Sequence, residues 1–121
     1  MKTVFLFVSL LLIAACASVE SSSPARQIVG NWRYVDQVQS CCYSFKSDGS
    51  FTGEVRHRAK LVSKFTGRWA VDGQALLYKY VSDSLGSIPP GATDRDQLLE
   101  VKRDFFEIQA ANGERRRYVR M

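Results

Sequence analysis

The sequence has few of the residues from which catalytic and metal sites are built. Its 121 residues include a single histidine, His57, and three cysteines. A three-ligand metal site needs histidine, cysteine or carboxylate side chains that converge, and no spacing in this chain offers such a set. Ser-His-Asp orderings, paired-carboxylate motifs and glycine-rich phosphate loops are also missing. These absences argue against an enzyme and against a bound metal or cofactor, and they favour a solvated His57 at the end of a strand.

Long apolar runs are scarce as well. The one extended stretch, Val4 to Ala15, is interrupted only by Ser9. As a helix it would reach about 18 Å, well short of the roughly 30 Å of hydrocarbon in a bilayer. Because Lys2 gives it a positive start, the stretch is typical of a cleaved export signal over residues 1–15. The remaining chain has the apolar content of one soluble globular domain, which excludes a polytopic membrane protein and a disordered tail.

The apolar stretch ends in Ile13-Ala14-Ala15-Cys16. This order of an aliphatic residue, two small residues and a cysteine resembles the lipobox of bacterial lipoproteins. The resemblance implies cleavage before Cys16 and attachment of acyl chains, palmitate among them, to the new N-terminus. Two or three such chains hold a protein firmly to a membrane. The plain alternative is an ordinary secretory signal whose cysteine is incidental.

The residue after the cysteine indicates which of the two bacterial membranes carries the protein. Ala17 stands where an Asp would resemble an inner-membrane retention signal, so we expect an outer-membrane protein facing the periplasm. Residues 16–27 comprise the lipidated cysteine and a polar tether. As a flexible coil, the ten residues of the tether reach roughly 17 Å, which would keep the domain close to the membrane surface.

From Trp32 onward, apolar residues alternate with polar ones, as half-buried antiparallel strands require. Turn signals separate the alternating runs at Ser47-Asp48-Gly49-Ser50, at Asp72-Gly73 and at Asn112-Gly113. The pattern predicts about eight short strands, with no convincing helix beyond one turn at residues 25–30. We therefore expect an all-β domain over residues 28–121.

Even strand lengths and successive hairpins favour a small antiparallel up-and-down β-barrel, with an open sandwich as the alternative. One long irregular stretch, residues 82–96, interrupts the strands. Loops of that length are usually functional or disordered, so it is interpreted as a rim loop or lid, or else as a plain connector.

Two short motifs bracket the predicted barrel, Gly30-Asn31-Trp32 at its start and Tyr118-Val119-Arg120 at its end. Together with residues 43–51 and 66–73, they resemble the markers of small bacterial lipocalin-like domains. The resemblance implies that the tryptophan plugs the closed end and that the arginine stacks over its indole. The plain alternative is ordinary core packing. The resemblance assigns three residues to barrel-end packing: Gly30, Trp32 and Arg120.

The resemblance implies a binding module whose barrel holds a small hydrophobic ligand, such as a fatty acyl chain. Some apolar residues of the strands would line that interior, since eight-stranded barrels either hold one small ligand or fill themselves. The alternative is a non-catalytic interaction or inhibitor protein with a filled barrel, which acts on another envelope component through its loops and outer wall. The candidate lining residues are Phe51, Phe65, Trp69, Leu76, Tyr78, Tyr80 and Phe106.

Cys41 and Cys42 are adjacent on a predicted strand, so their side chains point to opposite faces. We expect one buried free thiol and one exposed thiol that is reactive or able to cross-link a second copy. A vicinal disulfide that acts as a redox device is the alternative, in a compartment that permits disulfides.

Basic residues exceed acidic ones, which gives a formal net charge of +5. Alternation on the last strand places Arg115 and Arg117 on one face, and Arg116 with Arg120 on the other. Export argues against a nucleic-acid partner. The remaining interpretations are a solvated strand surface, or contact with anionic headgroups or an acidic envelope protein.

Overall fold

A computed structural model describes residues 23–121, so the predicted signal peptide, Cys16 and the first part of the tether lie outside the described residues.

Helix α1 spans Pro24–Ile28. The hydroxyl of Ser23 accepts a hydrogen bond from the Arg26 N–H, and a proline occupies the first turn. The eight strands are β1 (Gly30–Val35), β2 (Gln39–Phe45), β3 (Ser50–His57), β4 (Lys60–Asp72), β5 (Ala75–Asp83), β6 (Thr93–Val101), β7 (Phe105–Gln109) and β8 (Arg115–Arg120).

Each strand pairs antiparallel with the next, and β8 returns to β1 to close a barrel. The closing ladder pairs Trp32 with Arg120 and Arg33 with Val119. This closure confirms the predicted up-and-down barrel over the open sandwich. Helix α1 lies at the end where β1 begins and β8 ends, here called the closed end. The opposite end, which carries the β5–β6 connection, is called the open end.

The core consists of the inward-facing residues of all eight strands together with Ile28 of α1. Aromatic rings dominate it, because inward positions of the alternating strands are mainly Phe, Tyr and Trp. Trp32, Phe45, Phe51 and Phe106 are almost fully buried. Every strand and every fully buried core residue lies within residues 28–121, and Ala25 of α1 packs against this core. Between Ser23 and Met121, no helix is long and apolar enough to span a membrane.

The polar stretch at residues 82–96 differs from expectation, because strand pairing extends into it. β5 continues to Asp83 and β6 begins at Thr93, which leaves a connection of only residues 84–92. β6 also carries an irregularity, since its pairing with β7 shifts between Leu98 and Glu100. Because this irregularity changes the phase of the strand, Leu98 is buried and the neighbouring Leu99 is only half-buried.

Candidate functional site

The closed end is held together by contacts between the first and last strands and α1. The Arg120 guanidinium lies 4.2 Å from the centre of the Trp32 ring. It donates hydrogen bonds to the carbonyls of Gln27 at 2.9 Å, Val29 at 3.2 Å and Arg103 at 2.8 Å. The Trp32 indole N–H donates to the Ile28 carbonyl at 2.7 Å. These contacts close this end of the barrel around the Trp32 indole, which is fully buried.

Gly30 belongs to the same arrangement. Its φ of +140° is a backbone conformation that side chains disfavour. A Cβ placed there would collide with the Arg120 guanidinium. Glycine is thus required at this position so that the arginine can reach the tryptophan, which places all three predicted barrel-end residues in one contact.

The seven predicted ligand-lining residues are all buried, each at most 9% exposed. They contact one another and the rings of Tyr43, Phe45 and Tyr118. The ring centres of Phe65 and Tyr80 are 5.2 Å apart and nearly perpendicular, and those of Phe51 and Tyr78 are 5.5 Å apart. Such spacings are those of rings in direct contact. The side chains expected to line a cavity therefore pack against each other.

Two inward glycines could have left room for a ligand, but neighbouring rings occupy that room. A Cβ on Gly53 would collide with the Phe65 ring. A Cβ on Gly67 would collide with the Lys79 carbonyl oxygen and would lie 2.7 Å from the Phe51 ring. The glycines thus accommodate phenylalanine rings and a close strand approach.

The barrel interior contains a carboxyl group, that of Asp96, which the sequence did not lead us to expect there. Asp96 is only 8% exposed, and it accepts a hydrogen bond from the Tyr78 hydroxyl at 3.0 Å. Burial raises the pKa of the Asp96 carboxyl to about 6, with a smaller contribution from Asp94, although the hydrogen bond from Tyr78 acts in the opposite direction. The sequence carries no clear signal for it, because Asp96 joins a strand, in phase with the buried Leu98, only through pairing with β5.

The hydroxyls of Tyr43 and Tyr78 lie near this carboxyl, and Cys41 is a further buried polar group of the interior. Burial raises the pKa of Tyr43 and of Tyr78 well above the usual value, and the negative field of Asp96 adds to the effect. Burial likewise raises the pKa of the Cys41 thiol. The two phenols and the thiol are therefore neutral at physiological pH, and the aromatic core contains a few buried polar groups, of which Tyr78 and Asp96 are hydrogen-bonded to each other.

The loop of residues 84–92 closes over the open end through one carboxylate. Asp83 accepts hydrogen bonds from the Ser63 hydroxyl at 2.5 Å and from the Leu85 and Ile88 N–H groups at 2.9 and 3.1 Å. The bond from Ser63, followed by those from backbone N–H groups, lowers the pKa of Asp83. Ile88 of this loop packs against the core, so the loop lies over the barrel mouth.

A groove of about 900 Å³ lies on the outer wall, beside the β7–β8 turn. We call it the outer groove. It extends along the outward faces of β4, β5 and β6, where Ala70 and Leu77 form a cross-strand pair. Arg68, Lys79 and Arg95 stand at its side, and the acidic Asp94 also belongs to its lining. An apolar floor with adjacent cations suits a ligand that has both an apolar part and an acidic group.

The remaining predicted residues lie apart from one another. His57 is exposed at the end of β3. Cys41 is buried and Cys42 is half-buried on the other face of β2, and both are free thiols. Within the part of the chain that the structure describes, no three His, Cys, Asp or Glu side chains are placed to hold a metal ion.

No family model and no curated protein matches the sequence. The structure is similar to the crystal structure of a lipocalin-like protein from Bacteroides uniformis ATCC 8492, with a TM-score of 0.56 and 17% sequence identity. The similarity covers 78% of this chain and 99% of that chain. At this identity it concerns the fold, and the closed eight-stranded barrel described above is accordingly a lipocalin-like one.

Proposed function

We propose that this lipocalin-like barrel is a non-catalytic, lipid-anchored binding protein of the bacterial cell envelope, and that it holds a small amphipathic ligand in the outer groove. One contrast carries the proposal. The interior is occupied by mutually contacting rings, whereas the outer groove offers about 900 Å³, within the 300–1,000 Å³ range typical of small-molecule sites.

The groove's lining supports a ligand with an apolar chain and an acidic head. Leu77 and Ala70 would contact the chain, while Lys79 and Arg95 would pair with a carboxylate or phosphate. A fatty acid or a similar acyl compound has this chemistry. The ligand thus remains the acyl type expected from the sequence, but its position is the outer wall.

The anchoring is proposed from the lipobox Ile13-Ala14-Ala15-Cys16, whose cysteine would carry the acyl chains after cleavage of residues 1–15. Lipidation and the outer-membrane address can be tested by growth with a clickable palmitate analogue followed by membrane fractionation. We expect label in the outer-membrane fraction, and none in the Cys16→Ala variant. Label-free wild-type protein in the periplasm would contradict the anchor.

The ligand is tested by native mass spectrometry on the chain from Ala17 to Met121, purified from the periplasm. We expect a stoichiometric extra mass that disappears on solvent extraction. Leu77→Asp places a charge on the groove floor and should abolish that mass. The matched control is Val81→Asp, since Val81 is also on β5 and is 55% exposed, but does not line the groove.

Two other outcomes would overturn this assignment. In the first, Phe65→Leu, which enlarges the interior, alters the mass or amount of bound ligand, while Leu77→Asp leaves both unchanged. The ligand would then lie inside the barrel. A bare chain that also takes up no fluorescent fatty acid would favour the second candidate, an interaction protein that works on an envelope protein. The filled interior favours that candidate specifically, and pull-downs from envelope extracts would then be the next experiment.

A further inference from the structure

The outer face of β8 and β1 combines exposed aliphatic side chains with arginines. We call it the β8–β1 patch and define it by Arg33, Val35, Arg117, Val119 and Met121. Val35, Val119 and Met121 are 56%, 51% and 69% exposed. Large apolar side chains in such a cluster are typical of surfaces that contact a partner or a membrane.

The pairing of β1 with β8 places arginines next to the exposed aliphatic side chains. Arg33 lies directly opposite Val119 in the ladder that closes the barrel. The same five residues, with Tyr34 and Arg120, line a shallow cleft of about 770 Å³ between the two strands. Each apolar side chain thus has an arginine beside it, as in surfaces that insert into the headgroup region while pairing with phosphates.

One of the two arginines of the patch has its charge offset by an ion pair, and the other does not. Arg117 lies 4.0 Å from the centre of the Phe105 ring and pairs with Glu107 at 3.3 Å, which offsets one charge. Arg33 forms no ion pair among the described residues, and the exposed Arg115 adds a further cation along β8. The patch and its border therefore carry a net positive charge, complementary to anionic lipid.

The patch also lies near the point from which the tether leaves the barrel. Arg120, beside Val119, bonds the carbonyls of Gln27 and Val29, so the described chain starts at this end of β8. From Cys16 to Ser23 is seven residues, at most about 24 Å when extended. We propose that the β8–β1 patch docks on an anionic lipid surface, with the barrel lying on the membrane that its tether reaches. The location at a membrane rests on the proposed anchor, whereas the affinity of the patch for lipid does not.

The experiment uses the unlipidated chain from Ala17 to Met121, whose barrel contains its whole core. Its partition onto vesicles of phosphatidylcholine with about one-third phosphatidylglycerol is compared with that onto pure phosphatidylcholine. We expect at least tenfold stronger binding to the anionic vesicles at low ionic strength, and a steep decrease with salt. Each arginine near such a surface contributes about fivefold in affinity, so Arg33→Gln with Arg117→Gln should lower binding by more than tenfold.

The matched control removes two charges outside the patch, at the exposed Lys46 in the β2–β3 turn and the exposed Lys60 at the start of β4. Lys46→Gln with Lys60→Gln should change binding by less than twofold. Equal losses in both double variants would show that only net charge matters, and would overturn the proposal. So would a lack of preference for anionic vesicles, or saturable capture of an acidic envelope protein that the vesicles do not compete for.

A second variant covers the case in which the arginine substitutions disturb folding. Val119 is exposed, and the substitution Val119→Asn changes no charge. It should reduce binding to anionic vesicles severalfold while leaving thermal unfolding within the range of the control variant. Unchanged binding by a folded Val119→Asn would show that the apolar part of the patch does not enter the lipid, and would contradict the docking mode. Because no acyl chain is present in this experiment, failure of the anchor cannot produce any of these results.

Discussion

Arg120 on the last strand covers the indole of Trp32 on the first at 4.2 Å, and bonds three backbone carbonyls around it. One side chain therefore joins α1, the β6–β7 turn and the strands that close the barrel. Removing it leaves the Gln27 and Val29 carbonyls without their donor and exposes the ring.

We expect Arg120→Ala to lower the free energy of unfolding by about 2–4 kcal/mol, because hydrogen bonds to charged groups and the stacking contact are lost together. Arg120→Lys keeps the charge but cannot both stack and make three bonds, so it should recover less than half of the loss. Urea unfolding followed by Trp fluorescence measures both variants. Equal stability of Arg120→Ala and wild type would show that the contact contributes nothing.

The buried Asp96 makes stability depend on pH in a direction opposite to that of an ion-paired carboxylate. Its pKa is about 6 in the folded protein, above the roughly 3.9 of an exposed aspartate. The protonated form is thus favoured by folding, and its contribution is complete below pH 4 and is lost as the pH rises through 6. Ionisation then costs about 2–3 kcal/mol.

Asp96→Asn should remove that cost while still accepting the hydrogen bond from Tyr78. We expect the variant to be more stable than wild type by about 2 kcal/mol at pH 8, and to be nearly equal to it at pH 4. Denaturant unfolding at several pH values gives the difference between the two proteins. A difference that does not vary between pH 4 and pH 8 would contradict the raised pKa.

The two inward glycines should differ in their response to alanine. Gly53→Ala collides with the Phe65 ring, whereas Gly67→Ala collides with the Lys79 backbone. A side chain can shift but a paired strand cannot, so we expect losses of about 1–2 kcal/mol for Gly53→Ala and at least 3 kcal/mol for Gly67→Ala.

A double-mutant cycle separates the two causes. Phe65→Leu should relieve part of the cost of Gly53→Ala, with a favourable coupling of about 1 kcal/mol. Phe51→Leu should give Gly67→Ala little relief, since the carbonyl contact remains. Comparable coupling in both cycles would mean that the β4 backbone moves away from β5.

Asp83 controls how firmly the loop of residues 84–92 is held. Its pKa is lowered in the folded state by the Ser63 hydroxyl and by backbone N–H donors. The contribution of Asp83 is therefore present above the ordinary pKa of an aspartate, and is lost as the pH falls through the lowered value.

We expect Asp83→Asn to speed amide hydrogen exchange at Leu85 and Ile88 at neutral pH, because a neutral amide accepts these bonds more weakly. The exposed Asp94→Asn serves as the control and should leave the loop unchanged. Equal exchange in Asp83→Asn and wild type would indicate that the Ile88 packing alone holds the loop.

Alternation in the sequence was sufficient for most of the barrel, because strands with one buried face display the period directly. It failed at Asp94, Arg95 and Asp96, which are polar but pair with Tyr78, Leu77 and Leu76 of β5. Only tertiary pairing makes these residues a strand. The phase of Leu98 and Leu99 was equally hidden, since an irregularity in β6 changes which of them faces inward.

The sequence likewise predicts some features of the candidate sites and not others. The contact of Trp32 with Arg120 could be expected from two motifs at the ends of the domain. It could not be predicted from the sequence that aromatic rings occupy the space beside Gly53 and Gly67. The positions of the Phe65 and Phe51 rings are fixed only when the strands pair. The outer groove depends on how β4, β5 and β6 pair around Leu77, which no local pattern encodes.

The ladder that closes the barrel joins Trp32 to Arg120 and Arg33 to Val119. Among the eight described strands, every other pairing links strands that follow each other along the chain, so these hairpins can form early from local contacts. Within the described barrel, only this seam requires residues nearly 90 positions apart to meet. We expect closure of the seam to be the slow step of folding. Because residues 23 and 121 lie at the same end of the barrel, a short linker could join them, and new termini could be placed at Asn112-Gly113. In such a permuted chain the pairing of β8 with β1 would become local.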